Sequence, residues 1–286
     1  ILADMYPICR RYFNNDNFEF KNINNLKKPT VADQFILKDK DYFRVLDATV
    51  DIFNDASPAY FHKNIGGYHA AKLRRYQEII DVYLAKEIQQ TLSNATTISD
   101  IVDNMQYANI LNMLNMRYLI YNKDAQPIEN PYANGVAWIV SNYKIVENAD
   151  KEMLALGTED LKQTAVIDKN AVTTLPEIVF DSTAKINIET YEPNKLIYHT
   201  KAATKQIAIF SEIFYDKGWN VYIDGEKADY FRANYLLRAM IIPAGEHEII
   251  FKFEPKSFTI GNYIAITSSI VLIVLLSLFV FFTIKQ

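Results

Sequence analysis

The chain has 286 residues, half of them hydrophobic, with 34 acidic against 30 basic side chains and a net charge of −4. That length holds one large domain or two ordinary ones, and the charge balance favours neither nucleic acid nor an anionic membrane surface as a partner. Cys9 is the single cysteine, so no internal disulfide can form and the redox compartment stays open.

The first 45 residues read as irregular. Asn14, Asn15, Asn17, Asn22, Asn24, Asn25 and the Lys27-Lys28-Pro29 run are loop signals. A short helix over Thr30 to Leu37 and a strand over Phe43 to Ala48 interrupt them, and Asp55-Ala56-Ser57-Pro58 marks a turn or a helix start. Two amphipathic helices follow. In the first, Leu73, Tyr76, Ile80 and Tyr83 form an apolar face against Lys72, Arg75, Glu78 and Lys86. In the second, Ile101, Met105, Ala108, Leu111 and Leu114 form the stripe, with Thr97 and Asp100 as a capping pair. Arg117 to Tyr121 and Val136 to Val146 read as strands, and Lys151 to Leu156 as a short helix.

After about Leu175 the hydrophobic period becomes two. Strands are predicted over Ile186 to Tyr191, Leu196 to Thr200, Ile207 to Tyr215, Trp219 to Ile223, Tyr235 to Ile242 and Glu248 to Phe253. Asp224-Gly225 is a hairpin turn and Pro243-Ala244-Gly245 a second turn. Many short antiparallel strands with turn signals imply a jelly-roll-like β-sandwich. The fold class is therefore α+β, with a mixed helix/strand region over 1–175, a sandwich over 176–258 and a transmembrane helix over 261–284.

Tyr263 to Ile284 runs for 22 residues without a charge. At ~1.5 Å per residue a helix of that length spans a hydrocarbon core of ~30 Å. The lysines flanking it, Lys252, Lys256 and Lys285, set no orientation by themselves. The start at Ile1 shows no secretory signal pattern, so the expectation is a fragment with further spans upstream.

Chemistry is hardest to place. Phe53 to Tyr76 is the densest polar and aromatic stretch, with Gly66-Gly67 ahead of Tyr68 and His69 and a helix carrying Lys72, Arg74 and Arg75 in its first turns. Glycines permit a close approach and a cationic helix start suits phosphate. Neither GxxxxGK[ST] nor GxGxxG is present, and a Gly-Gly turn before a solvated basic face is the plain alternative. Trp219, Tyr222 and Tyr230 could stack on a sugar ring, although Trp219 alternates with Val221 and Ile223 on what reads as the core face. His62, His69, His199 and His247 have no metal-ligand spacing, no GxSxG occurs, and no metal or cofactor is expected.

Five stretches together are distinctive: Arg10 to Phe18, Phe53 to Gln77, Asn112 to Tyr121, Ala137 to Asp150 and Gly218 to Phe258. With the final span they resemble the C-terminal portion of bacterial YfhO-type membrane proteins. The resemblance implies a multi-spanning protein similar to GT-C-type glycosyltransferases, which take sugar from a polyprenyl-phosphate carrier. It implies a place in the bacterial inner (cytoplasmic) membrane with the body outside the cytoplasm. It also implies three partners: the lipid bilayer, a polyprenyl-phosphate-linked sugar and an envelope glycan acceptor. The carboxylate base of such enzymes would lie upstream of Ile1, so no catalytic residue is carried over. Tyr68, His69, Arg74 and Arg75 are the expected contacts to phosphate or glycan. A non-catalytic glycan-binding or partner-docking module, or support of carrier-lipid transport, are the competing expectations.

Overall fold

The computed structural model describes residues 2–17, 28–93, 95–172 and 174–285. The loop expectations at Asn22, Asn24, Asn25 and Lys27 lie outside the described residues. The chain opens with a helix rather than a loop, α1 over Leu2–Tyr12. The expectation of an irregular start is corrected there, because apolar residues at Met5, Ile8, Cys9 and Tyr12 keep a helical period around Pro7. Helix α2 (Val31–Ile36) begins at a capping box between Thr30 and Asp33.

Strand β1 (Arg44–Asp47) runs parallel to β2 (Met116–Ile120), which pairs antiparallel with β3 (Ile128–Glu129). The first amphipathic helix is continuous but uneven. It runs as α3 (Arg74–Ile79), a π turn over Ile80–Leu84, then α4 (Ala85–Ser93). The second divides into α5 (Ile98–Met105), capped by Thr97 and Asp100, and α6 (Asn109–Met113). Glu87 supplies the partners that the start of α6 lacks, accepting from the amides of Ile110 at 3.0 Å and Leu111 at 3.1 Å.

The stretch read as one strand region near Trp138 bends at Ser141 into two different sheets. Strand β4 (Ala137–Val140) joins the sandwich, whereas β5 (Asn142–Val146) runs parallel to β6 (Thr164–Asp168). Helix α7 (Ala149–Leu156) makes the crossover between β5 and β6.

The sandwich strands are β7 (Lys185–Glu192), β8 (Lys195–Ala202), β9 (Gln206–Ile213), β10 (Trp219–Ile223), β11 (Glu226–Ala228), β12 (Phe231–Ala233), β13 (Leu237–Ile242) and β14 (Gly245–Phe253). One sheet has the order β11-β10-β14-β8-β7 and the other β12-β13-β9-β4. Asp224 and Gly225 both take positive φ, 51° and 87°, at the β10–β11 hairpin, as the Asp-Gly pair predicts.

The second sheet is buried on both faces. Ala208, Phe210, Met240 and Ile242 face the first sheet around Tyr198 and Phe251. Ile207, Ile209, Leu237 and Ala239 face the helices, in one cluster with Leu84, Met105, Leu111 and Val166. This double burial is why β9 is a run of apolar residues rather than an alternation. The helical layer and the sandwich thus share a hydrophobic core.

Candidate functional site

Only Glu254 and Pro255 separate β14 from α8 (Lys256–Ile284). The 29-residue helix is apolar enough to cross a membrane, and none of its residues is buried against the body. Its first seven residues, before Tyr263, add ~10 Å to the apolar run. A span that places Tyr263 to Ile284 in hydrocarbon therefore holds the rim of the sandwich close to the lipid headgroups.

At that rim a groove of about 790 Å³ opens between the β9–β10 connection, β11, the end of β14 and the first turn of α8. Trp219 and Phe253 form its aromatic wall, with ring centroids 5.3 Å apart. Lys217, Lys227 and Lys256 bring positive charge to it, and Asp216 and Glu254 bring carboxylates. Asn220 and Tyr222 both donate to Glu254 Oε2, at 3.1 and 3.0 Å, which fixes that carboxylate. The Arg238 guanidinium lies 4.1 Å from the centre of the Trp219 ring, and burial holds its pKa below the usual arginine range.

Gly218 makes the bend that forms this wall. Its φ is +107°, and a Cβ there would lie 2.9 Å from Phe253 Cε2 and 3.0 Å from Pro255 Cβ. The alternation argument for Trp219 is half right. Val221 is fully buried, while Trp219 packs on the sandwich core with one side and lines the groove with the other.

Residues 160–267 match the family model described as Bacterial membrane protein YfhO. The resemblance read from the sequence is borne out over that stretch, which covers β6, the sandwich strands β7 to β14 and the start of α8. The other quoted stretches, from Arg10 to Asp150, lie outside it. The matched family is one of membrane proteins, and α8 is long and apolar enough to cross a bilayer. No curated protein matches the chain.

The three aromatic residues expected to stack on sugar differ in availability. Trp219 faces the groove. The Tyr222 hydroxyl is held by Glu254, and the Tyr230 hydroxyl donates to the Tyr215 carbonyl at 3.1 Å.

The loop expected to meet phosphate also divides. Tyr68 and His69 are exposed, and His69 Nδ1 accepts from the Ala71 amide at 3.1 Å. Gly66 permits a close approach, but to the chain itself. A Cβ there would lie 1.8 Å from the Ile52 carbonyl, which the Gly67 amide meets at 2.6 Å. The Arg74 side chain is 92% exposed and pairs with Glu78 at 2.8 Å.

Arg75 turns inward instead. It donates to the Tyr235 carbonyl at 3.2 Å, covers the Tyr235 ring at 4.3 Å and lies 3.7 Å from Glu152. Glu152 is fully buried, and burial pushes its carboxyl up to about 7. The arginine pair therefore has two roles, one facing solvent and one in the packing.

His62 is a structural histidine, hydrogen-bonded to Asp33 at 2.7 Å. Among the described residues no cluster of His, Cys, Asp and Glu is fit to hold a metal.

Sequence reasoning missed Asp216, Lys217, Lys227, Glu254 and Lys256 as groove residues. Gly218 next to a charged pair, and charges beside Pro255 just before an apolar run, were the available signals. What they lacked was the pairing of β10 with β14, which brings Trp219 opposite Phe253.

Proposed function

We propose that this chain is the extracytoplasmic part of an inner-membrane protein that handles a polyprenyl-phosphate-linked sugar destined for a cell-envelope glycan, within a glycosyltransferase of the GT-C type. One observation carries the reading. The groove beside Trp219 opens where α8 leaves the body and combines an aromatic wall with three lysines and two carboxylates, an arrangement that a bilayer crossed by α8 would bring near the lipid headgroups.

Each part has work to do on such a ligand. Trp219 offers a flat apolar surface to a sugar ring. Lys217, Lys227 and Lys256 offset the charge of a phosphate, which increases on the leaving group as the sugar departs. Asp216 and Glu254 can accept from sugar hydroxyls. Tyr68, His69 and Arg74, exposed together ahead of and on α3, are a second region able to meet glycan or phosphate.

A non-catalytic glycan-binding or partner-docking module is the second reading. Glu254 favours it, because a carboxylate already fixed by Asn220 and Tyr222 is suited to binding more than to proton transfer.

The test is binding of a short-chain polyprenyl-phosphate sugar to the full chain in lipid nanodiscs, read by isothermal titration calorimetry. Trp219→Phe should retain partial affinity, while Trp219→Ala and Lys217→Gln/Lys256→Gln should each weaken it at least tenfold with an unchanged melting temperature. Unaltered affinity in both sets would remove the groove from the function.

A further inference from the structure

Where Tyr42 and Arg44, at the entry to β1, meet the sandwich, charged groups are buried between the layers. Arg44 donates through Nη1 to the carbonyls of Leu114 at 2.7 Å and Ser211 at 2.8 Å, and its Nη2 lies 3.6 Å from Glu212. The Tyr42 hydroxyl donates to the same carboxylate at 2.5 Å. The pairing of β13 with β9 slips between Leu237 and Arg238, a bulge that passes over Ser211 and Glu212. Arg238 lies against the Trp219 ring, donates through Nε to the Ile213 carbonyl at 3.2 Å and forms no ion pair among the described residues.

The buried charges do not balance. Two guanidiniums, Arg44 at 9% and Arg238 at 3% exposure, share the single carboxylate of Glu212, so one positive charge is left without a counterion. Lys63, the nearest further cation, is exposed and has water to solvate it. The polar atoms left over point the same way. Arg238 Nη1 and Tyr198 Oη have no hydrogen-bond partner, although Tyr198 is fully buried. The Tyr198 hydroxyl is within electrostatic reach of Glu212, Arg238 and Arg44. Both leftover groups can donate, and a buried guanidinium without a counter-charge is costly.

We propose that Arg238 and Tyr198 hold one small monovalent anion, chloride, between the sheets of the sandwich, with Arg44 adding its charge. A single negative charge restores the balance. A dianion such as phosphate would exceed it and meet the Glu212 carboxylate as a like charge. Burial also obliges the guest to shed its water, which costs far more for a doubly charged ion. Arg238 Nη1 and the Tyr198 hydroxyl then donate to the anion as charge-assisted hydrogen bonds. Arg44 Nη1 is already taken by two carbonyls, so this arginine acts through its field. The site needs no ligand in the groove on the other side of Trp219.

Chloride itself is the probe. The full chain in a neutral detergent is melted at constant ionic strength while sodium gluconate, whose anion is too bulky for the site, is exchanged for sodium chloride. The native chain should gain stability saturably with chloride, and Tyr198→Phe should raise the half-saturating concentration several-fold. That variant keeps the ring and removes a hydroxyl without a partner, so in gluconate it should melt no lower than the native chain. Broadening of the chloride NMR line, greater with the native chain than with Tyr198→Phe, reads occupancy apart from stability. Equal melting of the native chain in both salts would overturn the proposal and leave the two donors to water. A chloride response unaltered in Tyr198→Phe would overturn it too, by placing the ion elsewhere on the chain.

Discussion

The Tyr235 amide donates to the buried Glu152 carboxylate at 2.8 Å while Tyr235 itself sits at a φ of +65°. Asn234 before it is also left-handed, at +49°, and its side chain accepts from the Val166 amide at 2.9 Å. Two consecutive non-glycine residues in this region carry strain of ~1–3 kcal/mol each. Contacts to α7 and β6 hold them there. The turn between β12 and β13 is thus clamped onto the crossover unit, and Arg75 and Glu78 of α3 close over the Tyr235 ring and hydroxyl.

The clamp should respond to pH with a definite sign. Burial raises the Glu152 carboxyl from about 4.5 to about 7, with the Tyr235 amide, Arg232 and Arg75 acting in the opposite direction. A folded carboxyl above its unfolded value binds more protons folded than unfolded through that window, so stability falls as pH rises from about 4.5 to about 7. A shift of that size corresponds to roughly 3 kcal/mol. Urea denaturation at pH 5 and pH 8 should show the native chain losing stability and Glu152→Gln losing distinctly less. An equal loss in both would exclude Glu152 as the source.

The two arginines of α3 should separate in mutagenesis. Arg75→Gln removes the hydrogen bond to the Tyr235 carbonyl and leaves a buried carboxylate with less compensation, which should cost ~1–3 kcal/mol of stability. Arg74→Gln touches only an exposed pair with Glu78 and should leave the melting temperature unchanged. Any effect of Arg74→Gln on ligand handling would then be free of a folding defect, which that of an Arg74→Gln/Arg75→Gln variant would not be.

Gly218 offers a test of the groove's shape. Alanine there must hold a φ of +107° and intrude on Phe253 and Pro255. Gly218→Ala should destabilise by ~1–3 kcal/mol and displace the Trp219 wall, seen as a lower melting temperature and a shifted tryptophan emission. An unchanged emission with native stability would mean the wall tolerates the extra carbon.

Glu87 joins α4 to the start of α6 through two backbone amides. Glu87→Ala should cost ~1–3 kcal/mol by leaving those amides without acceptors, whereas Glu87→Gln retains an acceptor and should cost less. Hydrogen exchange at Ile110 and Leu111 reads this directly. Faster exchange in the alanine variant is expected, and unaltered protection would show that α6 holds without the contact.

Much of the fold was legible in local pattern. The capping pair Thr97–Asp100, the Asp224-Gly225 hairpin and six of the sandwich strands follow from chemistry within a few residues, whereas the three-residue strands β11 and β12 do not. Strand β6, Thr164–Asp168, was not legible, because a buried parallel strand has no alternation to mark it. Nor was α1, whose asparagines downstream and internal proline outweighed a sound helical period.

The sequence by itself determined that a charge-free run of 22 residues closes the chain and that an α+β body precedes it, since length and periodicity are properties of the chain alone. Tertiary structure decided which polar groups meet. Arg75 and Glu152 are 77 positions apart, and Trp219 and Phe253 are joined only by the register of β10 on β14. The physical reason is that burial and strand pairing, not sequence neighbourhood, set the distances over which charge and aromatic surfaces act.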